Sequence, residues 1–569
     1  MLHHSLRALL LALLVCSLRS VSGQGSVGIN NPSPHASALL DLTSTNKGLL
    51  MPRMTTAQRS AIVSPATGLL VFDVSLNAFY FFDGTIWQPL ASGNAGWSTT
   101  GNAGTTVATH FVGTTDNVPL SFRVNNIAAG RIDHLKANVT LGPRAGAAIT
   151  TATSNVLIGD SAGVALDVGV ENTVVGDNAG RAMQSFSSSW NTIIGSKAAE
   201  QMFMGNDNVY VGAWAGRLTT GYTYANTFVG ANAGYTGANS GSSTFIGSSA
   251  GAYTTTGQFN TFIGAGSGLN NTTGSFNTFT GTLTGLGNMG GSQNTVHGYQ
   301  AGQFNVGGND NTFLGYIAGR NSTASNNTFL GSWCGQGTTS GADNTFVGTA
   351  AGQNNAVGAD NVLLGRAAGF SLTGDQNTVG GSRAGYNSTS GDNNTFYGWH
   401  AGYNNGTGNY NTYLGHGAGA SANLTNASAI GANANVTTSN SMALGGTGAF
   451  AVNVGIGTPT PQTELEVNGF TMLGSNAPKV KMLKLTGTTS AIQGNAVTVV
   501  HGLTAAKILA VDVLVETGSG VWMPPNYTVS PGFQFQFNVQ ATSILVANVP
   551  AASVNILSKP FKVLITYEE

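Results

Sequence analysis

From Asn155 to Gly445 apolar and polar positions recur in a short block that returns about every 17 residues, eighteen times in all. Each block reads Asn, Thr, an aromatic or aliphatic residue, Val/Ile/Leu, Gly, two variable residues, Ala-Gly, and then a loop of Gly, Asn, Thr and Ser. Clear copies are NTFVGANAG from Asn226, NTFIGAGSG from Asn260, NTFLGYIAG from Asn311, NTFVGTAAG from Asn344 and NTYLGHGAG from Asn411. The steps are 16 to 19 residues long until the last, which is 14. A fixed period of this length marks a repeat architecture. Helices are not expected at this glycine density. One block is too short to bury a core by itself, so neighbours must stack. The prediction is an all-β fold dominated by a β-roll or β-solenoid rod. At about 4.8 Å per coil, eighteen coils span roughly 85 Å.

Adjacent strand side chains point to opposite faces, so Thr and the aliphatic residue share one face and the aromatic takes the other. If the Thr face lines the inside, Phe228, Phe245, Phe262, Phe279, Phe313, Phe329, Phe346, Phe396 and Tyr413 form an outward apolar row. Extended rows of that kind mark an interface, and three chains meeting along it would bury both faces. On this reading these nine residues are the trimer-interface candidates. The opposite orientation, aromatics inside and threonines outside, stays open.

Only 8% of the 569 residues are charged and 81 are Gly, against about a quarter charged in ordinary domains. Between Arg217 and Asp310 there is no Asp, Glu, Lys or Arg. The regular return of Phe, Val, Ile and Tyr there argues against disorder. Net charge is −1 and basic residues do not cluster, which removes nucleic acid and anionic membranes as partners. Residues 1–23 read as a signal peptide: Arg7, the apolar run Ala8 to Cys16, then Ser20, Ser22 and Gly23 before Gln24. Cys16 opens a lipoprotein alternative, against which the bulky Val15 stands. Cleavage would leave one cysteine, Cys334, and no intrachain disulfide. No later segment reaches the roughly 18 apolar residues of a membrane-spanning helix.

The last two blocks, ASAIGANANVTTSN from Ala427 and SMALGGTGAF from Ser441, resemble the 14-residue repeats of trimeric autotransporter adhesin heads (YadA-like). The resemblance implies interlocked left-handed parallel β-rolls and a homotrimer, with the 17-residue blocks a longer-looped variant. It covers somewhat more than half of the chain, and no heptad stalk or C-terminal anchor barrel accompanies it. Residues 24–93 contain SVGINNPSPHASALLDL and PATGLLVFDVSLNAFYFFDGTIWQPL, the latter a β-hairpin pattern with Asn77 and Asp83-Gly84 as turns. This part is similar to N-terminal modules of bacterial surface fibres and phage tail-fibre-like proteins. Residues 94–150 form a connector, 151–450 the rod, and 451–478 a neck in which NVGIGTPTPQTELEVNG repeats the opening phrase. Residues 479–569 form a compact β-sandwich-like domain, judged from VTVVHGL, ILAVDVLVE, FQFQFNV, SILVAN and FKVLITYEE. The Ser-Asp and Lys signature of a self-cleaving fibre chaperone is absent, so autoproteolysis is not expected.

No catalytic constellation stands out, and the chain reads as a non-enzyme without a cofactor. Histidines 35, 110, 134, 297, 400, 416 and 501 lack zinc-ligand spacing. Cys334 replaces the Ala of an Ala-Gly step, which suits a small buried residue better than a nucleophile. Asp310, Asp343, Asp360, Asp375 and Asp392 fall one or two residues before the Asn of their block and are weak calcium candidates. Calcium wants six to eight oxygens, and turn formation explains these acids equally well. The repeated Asn predicts a side-chain ladder along the rod.

The leading function is a secreted or cell-surface fibre or adhesin, self-associated as a homotrimer, holding a surface receptor, matrix or glycan through many weak contacts. An ice- or glycan-binding solenoid is the alternative, using the threonines in register, and it requires Thr outside and Phe inside. A polysaccharide lyase or hydrolase lacks paired acids.

Overall fold

The computed structural model describes residues 25–90, 103, 105–106, 110–184, 188–237, 241–420, 423–518 and 520–569. The expected signal segment 1–23 lies outside the described residues. The chain divides into two units, Met1–Thr115 and Asp116–Glu569.

In the first unit Val27–Ile29 and Leu40–Leu42 pair in parallel. Four strands, Arg53–Met54, Leu70–Asp73, Ala78–Phe82 and Trp87–Pro89, form a small sheet in that order. The expected hairpin is its central pair, turned at Asn77 with φ +48° and followed at Gly84 with φ +106°. The five-residue helix Thr56–Ser60 was not anticipated, although Thr55 and Gln58 close a capping box over its first turn. The buried Asp73 ties helix to sheet: it accepts from Arg59 Nε at 2.9 Å, Thr56 Oγ1 at 2.8 Å and the Ser75 amide at 2.9 Å. Burial pushes its pKa up, but these donors outweigh it and hold the carboxyl below its ordinary value.

In the second unit the rod is a stack of parallel three-residue strands. Among the described residues eighteen of them run in unbroken register from Val156–Ile158 to Met442–Leu444, one per block. A nineteenth strand, Asn138–Leu141, precedes them and pairs in parallel with Val156–Ile158. The rod therefore starts inside the expected connector. Leu120–Val124 and Ile127–Asp133 add antiparallel strands to this end, which covers the edge that a parallel stack would leave open.

Asparagine locks the coils. The amide of Asn277 donates to Asn260 Oδ1 at 2.9 Å, and Asn277 Nδ2 donates forward to the Gly291 carbonyl at 2.8 Å. Asn294, Asn344, Asn361, Asn377 and Asn394 repeat both bonds. The chain of amide-to-side-chain bonds runs without a gap from Asn138 to Ala427, with Ser243 Oγ standing in for one Asn. The expected ladder is thus present and fully buried. A second, outer ladder runs in the opposite sense: Ser275 N–H donates to Ser292 Oγ, Ser292 N–H to Asn309 Oδ1, and Asn309 N–H to Ser325 Oγ.

Most blocks fix two glycines, although Ala199 stands at the second position of the Asn191 block with φ +48°. Gly230 and its equivalents sit near φ +137°, and a Cβ there would lie 2.5 Å from the Gly247 carbonyl of the next coil. Gly234, at φ +58°, lies directly under the Phe228 ring, where a Cβ would come within 2.4 Å of it.

Beyond the rod, Val454–Ile456 and Leu465–Val467 repeat the parallel pair of the first unit. The C-terminal part forms two antiparallel sheets. One takes the order Val480–Thr488, Pro560–Glu568, Ile508–Gly518, Val521–Met523, and the other the order Ala496–Val500, Ser543–Asn548, Phe535–Val539. Val513, Val515, Phe535, Ile544, Phe561 and Val563 pack into one core.

Asn311→Ala is expected to strip the partners from the Asn327 amide and the Ala324 carbonyl and to destabilise the rod by about 3 kcal/mol, since each buried unpaired group costs roughly 1–3 kcal/mol. Ser243→Asn should restore the missing clamp and add about 1 kcal/mol. Denaturant midpoints of the two variants check both signs, and equal midpoints would contradict the clamp.

Candidate interaction face of the rod

The three residues of each rod strand divide one inward and two outward. The inward residue is aromatic in ten of the eighteen coils and Leu, Val, Ile or Ala in the rest. Phe228, Phe245, Phe262, Phe279, Phe313, Phe329, Phe346, Phe396 and Tyr413 are at most 1% exposed. They stack on one another along the axis, with ring centroids 4.7–5.1 Å apart wherever they are consecutive. The sequence expectation that these nine residues form an outward trimer interface is therefore corrected: they are the core of a single chain. The reason is volume. The wall facing the strand is built from Ala-Gly steps, Ala233, Ala250, Ala318 and Ala351 among them, all fully buried. Each coil thus has space for one large side chain, and the aromatic fills it. Full burial of such a side chain is worth roughly 1.5–3 kcal/mol.

Cys334 occupies the Ala position of its coil, fully buried, with Sγ 3.3 Å from the Phe346 carbonyl. This is the small-residue role expected from its place in the block.

The outward face carries the other two columns. The first is Thr in thirteen of eighteen coils, with Val156, Val209, Val362, Ser428 and Met442 in the rest. The second is aliphatic in fourteen, interrupted by Thr280, His297, Gly380 and Tyr397. Ile263, Leu314, Leu330 and Leu414 are 39–46% exposed. The register is strict: Thr244 pairs with Thr261 and Ile246 with Ile263, and so on along the rod. None of these outward positions holds Asp, Glu, Lys or Arg.

The calcium candidates take turn positions. Asp310, Asp343 and Asp360 sit at φ 56–58° immediately before a ladder Asn, a conformation that short polar side chains tolerate. Asp375 and Asp392 belong to the outer ladder, accepting from the Ala359 amide at 2.8 Å and the Asp375 amide at 2.9 Å. The rod brings them no closer than one acid per coil, and among the described residues no three His, Cys, Asp or Glu side chains come together. His400 and His416 lie on neighbouring coils, bridged by Trp399, which stacks on both. Among the described residues no helix is long and apolar enough to cross a membrane.

Residues 28–106 match the family model described as a phage tail like trimerisation region. Comparisons with curated proteins and with solved structures each find no match. Within the matched segment Leu39, Leu40 and Leu50 are 47–81% exposed in the single chain. The copy of its parallel pair beyond the rod likewise leaves Ile456 and Leu465 uncovered.

Burial pushes the Cys334 thiol up to about 12. Because this lies above the free-thiol value of about 8.5, its contribution to stability is complete below that value and is lost as the pH climbs toward 12. The folded chain should leave Cys334 unreacted with maleimide at neutral pH and label it only after denaturation. Rapid labelling of the folded chain would contradict the burial.

Proposed function

We propose that the chain is a non-enzymatic structural fibre, assembled as a homotrimer and displayed outside the cell as an adhesin. The rod supplies reach, and its loops and terminal modules supply weak contacts that a trimer repeats. The observation that carries this reading is the unbroken clamp of eighteen coils, which makes a stiff, uniform spacer. The similarity of residues 28–106 to a phage tail like trimerisation region supports self-association. So do the uncovered leucines there and in the motif that repeats it after the rod, since apolar groups left exposed at both ends call for neighbours. The likeness of the last two blocks to YadA-like heads agrees with a trimeric rod, although here each chain completes its own aromatic core.

Light scattering after size exclusion should give the full chain three times its single-chain mass. Deleting residues 277–310, two complete blocks, should shorten the particle by about 10 Å at ~4.8 Å per coil and keep its unfolding cooperative. A single-chain mass, or loss of cooperative unfolding after that deletion, would contradict the fibre.

One observation favours a second reading, an ice- or glycan-binding solenoid: the threonine column faces outward, as that reading requires. Thermal hysteresis in a solution of the chain, abolished by Thr261→Leu with Thr312→Leu, is its expected signature.

A further inference from the structure

The outward Thr and aliphatic columns make a flat, uncharged stripe that the single chain leaves open. Eighteen coils at ~4.8 Å, two columns wide, cover about 80 by 10 Å, or about 800 Å². Exposed apolar patches of more than a few hundred Å² on a soluble protein mark interaction sites, and about 800 Å² per partner is what a stable protein interface buries. We infer that the occupant of this stripe is a second copy of the same chain: the rods of the fibre meet along the Thr and Val/Ile/Leu columns, with the aromatic rows inside each rod. The inference rests on the trimeric reading and moves its interface to the other face of the strand.

Three features select a copy of the chain over other occupants. The stripe holds no Asp, Glu, Lys or Arg along its full length, and His297 is its one histidine. Charged residues of the same coils, such as Arg366, Arg383 and Asp392, stand at other positions of the block. A charge-free strip of this length suits burial against its own kind rather than a charged partner. The stripe is also as long as the rod, and only another rod of equal period presents a matching partner at every coil. Finally, the columns are regular in polarity but not in shape. Five of the eighteen Thr positions hold other residues, and Tyr397 lies over Gly380 of the preceding coil. An ice or crystalline-sugar lattice needs a uniform hydroxyl array, whereas side-chain packing absorbs such changes. Around a threefold axis the contact is heterologous and closes into a ring, with the three stripes turned toward the axis so that equivalent positions of neighbouring chains lie near one another.

Cys334 is fully buried, and Cys16 is replaced by Ser in every variant so that the introduced cysteine is the thiol under test. In the full chain, Ile263→Cys, Leu330→Cys and, on the exposed loop of the Ile263 coil, Thr273→Cys are made singly and treated with a short bis-maleimide, and the mass of each is measured by light scattering. The expected result is a three-chain mass for all, with most of the Ile263→Cys and Leu330→Cys chains running as covalent dimers and only a trace of Thr273→Cys doing so. A three-chain mass with no excess of dimer at positions 263 and 330 would overturn the stripe as the interface and leave the trimeric reading standing. A single-chain mass would overturn both, and thermal hysteresis of that monomer would give the stripe to a hydroxyl lattice.

Discussion

The whole rod hangs on one carboxamide per coil. A strand of three residues makes few bonds to its neighbour, and the backbone amide of the Asn just before it is buried and needs an acceptor. The buried Asn at its head accepts that amide from the next coil and donates its own Nδ2 to a loop carbonyl one coil further on. Each side chain therefore joins strand to strand and strand to loop at once. The geometry admits little else. Aspartate would lose the donor and stack like charges a few ångströms apart in low dielectric. Serine, where it occurs at position 243, keeps the amide bond but makes its own donation only to the nearby Gly241 carbonyl.

Once the coils are pinned at the strand spacing, the interior follows. Aromatic rings at one position of every block must lie about one strand spacing apart, and the observed 4.7–5.1 Å separations are that spacing. The rings in turn require Gly beneath them and a small residue across from them, Ala in most blocks and Ser267, Thr284 or Cys334 in others. A single chain thus satisfies its own core. What remains unsatisfied is outside: the Thr and aliphatic stripe, and the leucines of the two terminal motifs. Function has to be sought on those surfaces, because the interior is spent on folding.

The period, the number of coils and the asparagine ladder were legible from the blocks themselves, since only a stacked fold puts Asn172, Asn191, Asn208 and Asn226 in one column. The direction of the strand was not. The pattern N-T-F-V states that Thr and Val share a face and Phe takes the other, but period-two alternation is symmetric and does not say which face is inside. The deciding information was present in the block, in the Ala-Gly step, whose small residues leave room opposite for a large ring. The outer Ser, Asn and Asp ladder was hidden because its members vary from coil to coil and only their acceptor role repeats. The start of the rod at Asn138 was missed although NVTLGPRAG carries the Gly-x-x-Ala-Gly spacing of the later blocks: its inward position holds the polar Thr140 where they hold an apolar residue, yet its Asn already forms the first rung.

Hydrogen exchange read by mass spectrometry tests the clamp most directly. If the asparagines bind the coils into one cooperative stack, strand peptides between residues 260 and 414 should exchange slowly and at one common rate, with faster exchange only in the loops and toward the two ends. Interior coils that exchange independently of one another, each at its own fast rate, would contradict it.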